Sequence, residues 1–118
     1  MSSDQSDEWV FRIGHIFEAV ERIQDYIRGM TFQQFCDDPR TVQAVLHNFL
    51  IIGEATRHIP ATVQTRHPTV PWKEMRDMRN ILAHEYDRID LQIIWDTAQR
   101  DIPKLPSLLQ EVLAQASE

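Results

Sequence analysis

The apolar residues of this chain recur at intervals of three and four almost from end to end, and that spacing constrains the fold more than any other feature. Trp9, Ile13, Phe17, Val20, Ile23 and Ile27 fall on one face of a helix, so an amphipathic helix is expected over about residues 7–28. Gly29 is well placed to cap its C-terminus. Thr31 can cap a short helix through about Asp37. Asp38-Pro39 reads as an N-cap and first helical residue, since proline lacks only a donor that is unpaired there anyway. Val42, Val45, Leu46, Phe49, Leu50 and Ile52 then define a second long helix to about His58. Its stripe is broad enough for burial on more than one side, in a bundle core or at an interface between copies. Pro60, Pro68 and Pro71 punctuate the next stretch, which has room for one short helix at Ala61–Arg66. Pro71 can start a further helix with Trp72, Met75, Met78, Leu82 and Tyr86 on its apolar side. Asp90 or Asp87 caps the last one, built on Leu91, Ile94, Trp95, Ala98 and Ile102. Pro103 and Pro106 predict a kink or a restart near residue 102, after which Leu105, Leu109 and Val112 continue the apolar face. No segment reads as a strand. The expected architecture is all-α: one domain over residues 1–118, an up-and-down four-helix bundle with short extra helices.

At 118 residues the chain can bury roughly two thirds of its unfolded surface, so it needs no staples. Cys36 is its single cysteine, which excludes an internal disulfide and suits a reducing compartment. No histidine stands beside it to argue for a nucleophile, and a lone cysteine is ordinarily a small packing residue. The segment Met1 to Glu8 is polar and acidic, without the basic and apolar parts of a signal peptide. The longest strongly apolar run, Phe49-Leu50-Ile51-Ile52, is far short of the roughly 20 residues that span a bilayer. A cytoplasmic protein with no membrane attachment is expected. The net charge of −6 argues against broad, non-specific nucleic-acid binding, but the charge is unevenly spread. Residues 57–88 carry six Lys/Arg against four Asp/Glu, while the remainder carries six against fourteen. A small cationic region in an acidic body suits a short anionic ligand or a few nucleotides rather than long duplex DNA.

That region centres on Arg79-Asn80-Ile81-Leu82-Ala83-His84-Glu85-Tyr86. Arg79 falls inside the apolar stripe, where a guanidinium is costly unless it is paired or faces a wet cleft. Glu54 on the preceding long helix is an available partner. A buried Arg–Glu pair tying two helices together is the structural alternative to a site that grips phosphate or carboxylate with the planar donor fork. Asn80 and His84 are four apart and share a face. Arg79 and His84 are five apart, about 140° around an ideal helix, and do not converge within one straight helix. Either the helix ends near His84 and the backbone turns, or a second copy of the chain completes the site. A histidine at a helix C-terminus also has a plain reading, because its cation suits that end of the macrodipole. The five histidines show no zinc-site spacing, and no metal or cofactor is expected. Without a metal, arginine and histidine can cleave RNA, which brings its own nucleophile in the 2′-hydroxyl. His84 would move protons, since histidine titrates near neutrality, and Arg79 would stabilise charge on the phosphoryl oxygens. Asn80, Glu54 and Arg76 stand as supporting residues.

Arg79, four residues, His84, one residue, Tyr86 resembles the signature of the HEPN-domain ribonucleases, in particular the HepT toxins of HepT–MntA toxin–antitoxin systems. The likeness extends to Ile52-Gly53-Glu54-Ala55 and to the lead-in Pro68-x-Val70-Pro71-Trp72-Lys73-Glu74-Met75-Arg76, and it covers nearly the whole chain. The resemblance implies an all-α bundle that dimerises, with two motifs meeting in a composite cleft. It implies a metal-independent endoribonuclease that arrests growth, with Arg79 and His84 catalytic. It also implies a partner, a minimal nucleotidyltransferase antitoxin that transfers AMP to Tyr86 and so keeps RNA out by charge and bulk. For Tyr86 the plain alternative is a half-buried aromatic with its hydroxyl at the surface. The alternative for the whole chain is a non-enzymatic helical module that binds the nucleotidyltransferase partner.

Overall fold

Helix α3 (Pro39–Thr56) is the axis of the molecule, with α1 (Ser3–Ile27) packed along one side and α5 (Trp72–His84) along another. Between them lie two short helices, α2 (Phe32–Cys36) and α4 (Ala61–Arg66), and after them α6 (Leu91–Arg100) and α7 (Leu105–Ala116). The structure is a computed structural model that describes residues 3–116, with side chains from Glu8 onward. Helices and short 3-10 turns are its only regular elements among those residues, so the all-α expectation holds.

The helix ends follow local chemistry. Gly29 takes φ +77 beyond α1, while Met30 N–H donates to the Ile27 carbonyl at 3.0 Å. Thr31 and Gln34 form a reciprocal capping box on α2. Asp38 caps α3: its carboxylate accepts from the Thr41 hydroxyl at 2.8 Å and the Thr41 amide at 3.2 Å. Those two bonds hold the Asp38 carboxyl below its ordinary value. Of the two candidate caps for α6, Asp90 is the one used, accepting from the Gln92 amide at 2.9 Å. A 3-10 turn at Ile102–Lys104 breaks the last segment and α7 restarts at Leu105, where the prolines predict it. Two boundaries differ from expectation: α1 begins at Ser3 rather than near residue 7, and α3 ends at Thr56 rather than His58.

The core runs from Ile13, Ile16 and Ile23 of α1 through Val45, Phe49 and Ile52 of α3 to Leu105, Leu109 and Val112. Each such side chain contributes roughly 1.5–3 kcal/mol by leaving water. The broad stripe of α3 is accounted for within one chain, because α1 covers one flank and α5 the other. The bundle-core reading of that stripe therefore stands. By contrast α5 packs chiefly on α3, which leaves much of its surface, and the motif on it, open.

Candidate active site

Gly53 sets the distance between α3 and α5. A Cβ there would lie 2.2 Å from Arg79 Cβ and 2.7 Å from the Met75 carbonyl oxygen. Only glycine allows this approach, and it brings Arg79 against the wall of α3. One residue further along α3, Glu54 Oε1 accepts from Arg79 Nε at 3.1 Å. The same oxygen accepts from Arg57 Nη1 at 2.9 Å. Burial pushes the Glu54 carboxyl upward, but the bonds and charges of Arg57 and Arg79 outweigh it and hold the group below its usual range. Glu54 is therefore a carboxylate between two guanidiniums, at 45% side-chain exposure, and Arg79 sits at 22%. The Arg–Glu pair anticipated from the sequence exists, though it is half-buried rather than buried.

The pair does not use up the guanidinium. Glu54 takes Nε, and Nη1 reaches Asn80 Oδ1 at 3.4 Å, a long contact. Among the described residues Nη2 has no hydrogen-bond partner, which leaves a donor for an anion. Asn80 is exposed and lies next to Arg79, so it is linked to the arginine and not to His84. Arg76, one turn earlier, donates to Gln64 Oε1. Gln64 in turn donates to the carbonyls of Ile59 at 2.9 Å and Thr56 at 3.3 Å. Arg76 thus ties α5 to the loop that follows α3. At the start of α5, Trp72 is buried and its Nε1 donates to the His67 carbonyl at 3.0 Å.

Helix α5 ends at His84: the Glu85 amide closes on the Ile81 carbonyl at 2.8 Å, and a 3-10 turn at Tyr86–Arg88 follows. His84 and Tyr86 are both exposed, Tyr86 at 55%. Tyr86 does not continue the apolar stripe, because the helix has stopped two residues before it. It lies beside a pocket of about 250 Å³ between α3 and the end of α5, lined by Gln43, Leu46, His47, Leu50, Leu82 and Tyr86. No hydrogen bond or ion pair among the described residues joins Arg79 to His84, which stand on different flanks of α5. Nor do three or more His, Cys, Asp or Glu side chains gather, among the described residues, in an arrangement that could hold a metal ion. A larger cavity of about 480 Å³ lies on the other flank of α5, against α6. Its floor is apolar and its rim carries Glu74, Asp77 and Asp101, so it repels phosphate; of the motif only Ile81 lines it.

The arrangement sets a guanidinium with an amide beside it on α5, and an imidazole and a phenol at the helix end. Residues 16–112 match the family described as Ribonuclease HepT-like. The chain belongs to that family. Among its relatives is a protein of Thermococcus cleftensis named as a ribonuclease HepT, 38% identical over 82% of this chain and 88% of the other. Another, from Caldanaerobacter subterraneus subsp. tengcongensis, is named as an RNase and is 36% identical over 84% of this chain and 88% of its own length. A third, an RNase by name from Methanocaldococcus jannaschii, is 35% identical over 83% and 81%. All three names are given as provisional. No solved structure matches the chain significantly. Membership in the HepT-like family supports RNase activity. No helix among the described residues is long and apolar enough to cross a membrane. Sequence reasoning did not find the positioning role of Gly53 in this HepT-like chain. Its signal was a lone glycine in the last turn of an otherwise strong helix.

Proposed function

We propose that this chain is a metal-independent endoribonuclease toxin of a toxin–antitoxin pair, acting on RNA at a cleft shared by two copies of the chain. The observation that carries the reading is the guanidinium of Arg79, held at Nε by Glu54 with Nη2 unpaired among the described residues, on the same helix as the exposed His84. Arg79 binds the scissile phosphate and stabilises the charge that grows on its oxygens. An imidazole takes the proton of the ribose 2′-hydroxyl, whose oxygen attacks phosphorus. The bond from phosphorus to the 5′-oxygen breaks, and that oxygen takes a proton from a second acid. The products are a 2′,3′-cyclic phosphate and a 5′-hydroxyl. Atoms and charge balance without a metal or cofactor. In each cleft one imidazole takes that proton, a water molecule is the second acid, and the hydroxide it leaves returns the imidazolium to imidazole. Asn80 steadies the phosphate, Glu54 orients Arg79, and Arg76 holds α5 in place.

Arg79 and His84 lie on opposite flanks of a ridge carrying Asn80 and the small, exposed Ala83. Packing two such ridges together brings the arginine of one copy toward the histidine of the other, and this supports the dimer. Tyr86, exposed beside the site, suits AMP transfer by a minimal nucleotidyltransferase antitoxin: the added phosphate and nucleotide would repel RNA and block its path. The setting is cytoplasmic. A second reading is a non-enzymatic module that binds the nucleotidyltransferase and uses the exposed end of the motif for nucleotide or subunit contact.

The deciding experiment incubates the chain with single-stranded RNA in excess EDTA and analyses the ends. Cleavage with 2′,3′-cyclic phosphate termini, abolished by a 2′-deoxy substitution at the cut, is expected. Stable RNA alongside tight binding of the nucleotidyltransferase would establish the second reading.

A further inference from the structure

The geometry points to a nucleobase subsite in the pocket between α3 and the end of α5, holding one unpaired base of the RNA next to the phosphate bound at Arg79. It rests on the ribonuclease reading and adds to it an element of sequence preference. The pocket of about 250 Å³ is below the roughly 300–1,000 Å³ that takes whole drug-sized ligands, so it suits a single planar heterocycle. Leu46 and Leu82 are buried and Leu50 half-buried, which gives an apolar floor. Gln43, His47 and Tyr86 form an exposed rim. An imidazole and a phenol offer faces on which a base can stack, the usual means by which unpaired bases are held. The Gln43 amide carries both donors and an acceptor, so it can read the edge of a base. None of the hydrogen bonds or ion pairs among the described residues engages the side chains of Gln43, His47 or Tyr86.

Position joins this pocket to the chemistry. Gln43, His47, Leu50 and Glu54 follow one another at four, three and four, a single stripe along α3. The stripe starts at the pocket and ends at the carboxylate that holds Arg79. On the facing helix Leu82 lies three residues beyond Arg79, about 4.5 Å along the axis. A strand whose phosphate sits on the guanidinium therefore carries its neighbouring nucleotide over the pocket.

The test is cleavage of single-stranded RNA oligonucleotides randomised on both sides of the cut. The parent chain is expected to prefer particular bases beside the scissile bond. His47→Ala and Gln43→Ala change exposed residues and keep the fold. They should raise KM roughly fivefold to a hundredfold with kcat near the parent's, and flatten the preference. An abasic nucleotide at the preferred position should raise KM on the parent and add nothing on His47→Ala. Unchanged KM and preference in both variants would overturn the subsite. So would loss of self-association with the preference intact, since the surface would then join copies. A parent that cleaves no RNA sinks the ribonuclease reading instead. The subsite is then judged by fluorescence anisotropy with an RNA made uncleavable by 2′-deoxy substitution: base-dependent binding lost in His47→Ala sustains it, and indifference to base and variant overturns it.

Discussion

On the proposed function, Arg79 serves structure and chemistry together. Its Nε is committed to Glu54 and its Nη1 reaches Asn80, which fixes the orientation of the fork. Arg79→Lys keeps the charge but has no second nitrogen to orient, so kcat/KM for RNA should fall at least tenfold, as steady-state cleavage would show. Glu54→Gln weakens the orientation while leaving Arg79 its charge. Its kcat should fall by about tenfold without a rise in KM, and a KM effect alone would deny Glu54 a positioning role. Both Glu54 and Asp38 have carboxyls held below their ordinary values of 4.5 and 3.8. Depressed folded values add stability above the unfolded values and lose it as pH falls through the folded ones. The stability these two carboxyls add should therefore be lost as pH falls below about 4.5. Asp38→Asn should shallow that decline in urea midpoints taken across pH, by a modest amount because both groups meet solvent. The sequence alone identified Glu54 as the available partner of Arg79 from burial logic. It did not reveal that Asn80 turns to Arg79 rather than His84, because that choice depends on the rotamer of a neighbouring side chain.

Among the elements, α3 and α5 make the contact on which the site depends. Ordinarily alanine in place of a helical glycine gains about 1 kcal/mol. At Gly53 the added methyl meets a backbone carbonyl and the Cβ of Arg79, neither of which can rotate away. Gly53→Ala should cost roughly 1–3 kcal/mol of stability in denaturant unfolding, and RNA cleavage should fall because Arg79 is displaced. A stable and fully active variant would show that the close approach is not needed. Most elements were legible in the sequence because caps and prolines mark their ends: Gly29, Thr31, Asp38 and Pro39 each act where their chemistry predicts. The end of α5 was legible only as one of two alternatives. Glu85-Tyr86-Asp87-Arg88 contains neither glycine nor proline, so the stop at His84 rests on a backbone turn without a local signal.

At the scale of the molecule, the proposed function has an acidic chain handle RNA through a small cationic region and a second copy of itself. If two copies neutralise about four phosphates, the logarithm of RNA affinity should fall with that of salt at a slope of about −3. A slope near zero would place binding elsewhere than on arginine–phosphate contacts. The proposed dimerisation was legible most sharply through a conflict: the proposed chemistry joins Arg79 and His84, yet about 140° of helix separates them. The single chain leaves that conflict standing, with a paired arginine on one flank and an open histidine on the other. The most direct measurement mixes two inactive chains. Arg79→Ala and His84→Ala should each fail to cleave single-stranded RNA in EDTA. After mixing in equal amounts and exchange of subunits, about a quarter of the parent's activity should return, since half of the dimers are mixed and each of those holds one intact site. Cleavage by His84→Ala alone at the parent's rate, or a mixture as inactive as its parts, would contradict a cleft shared between two copies.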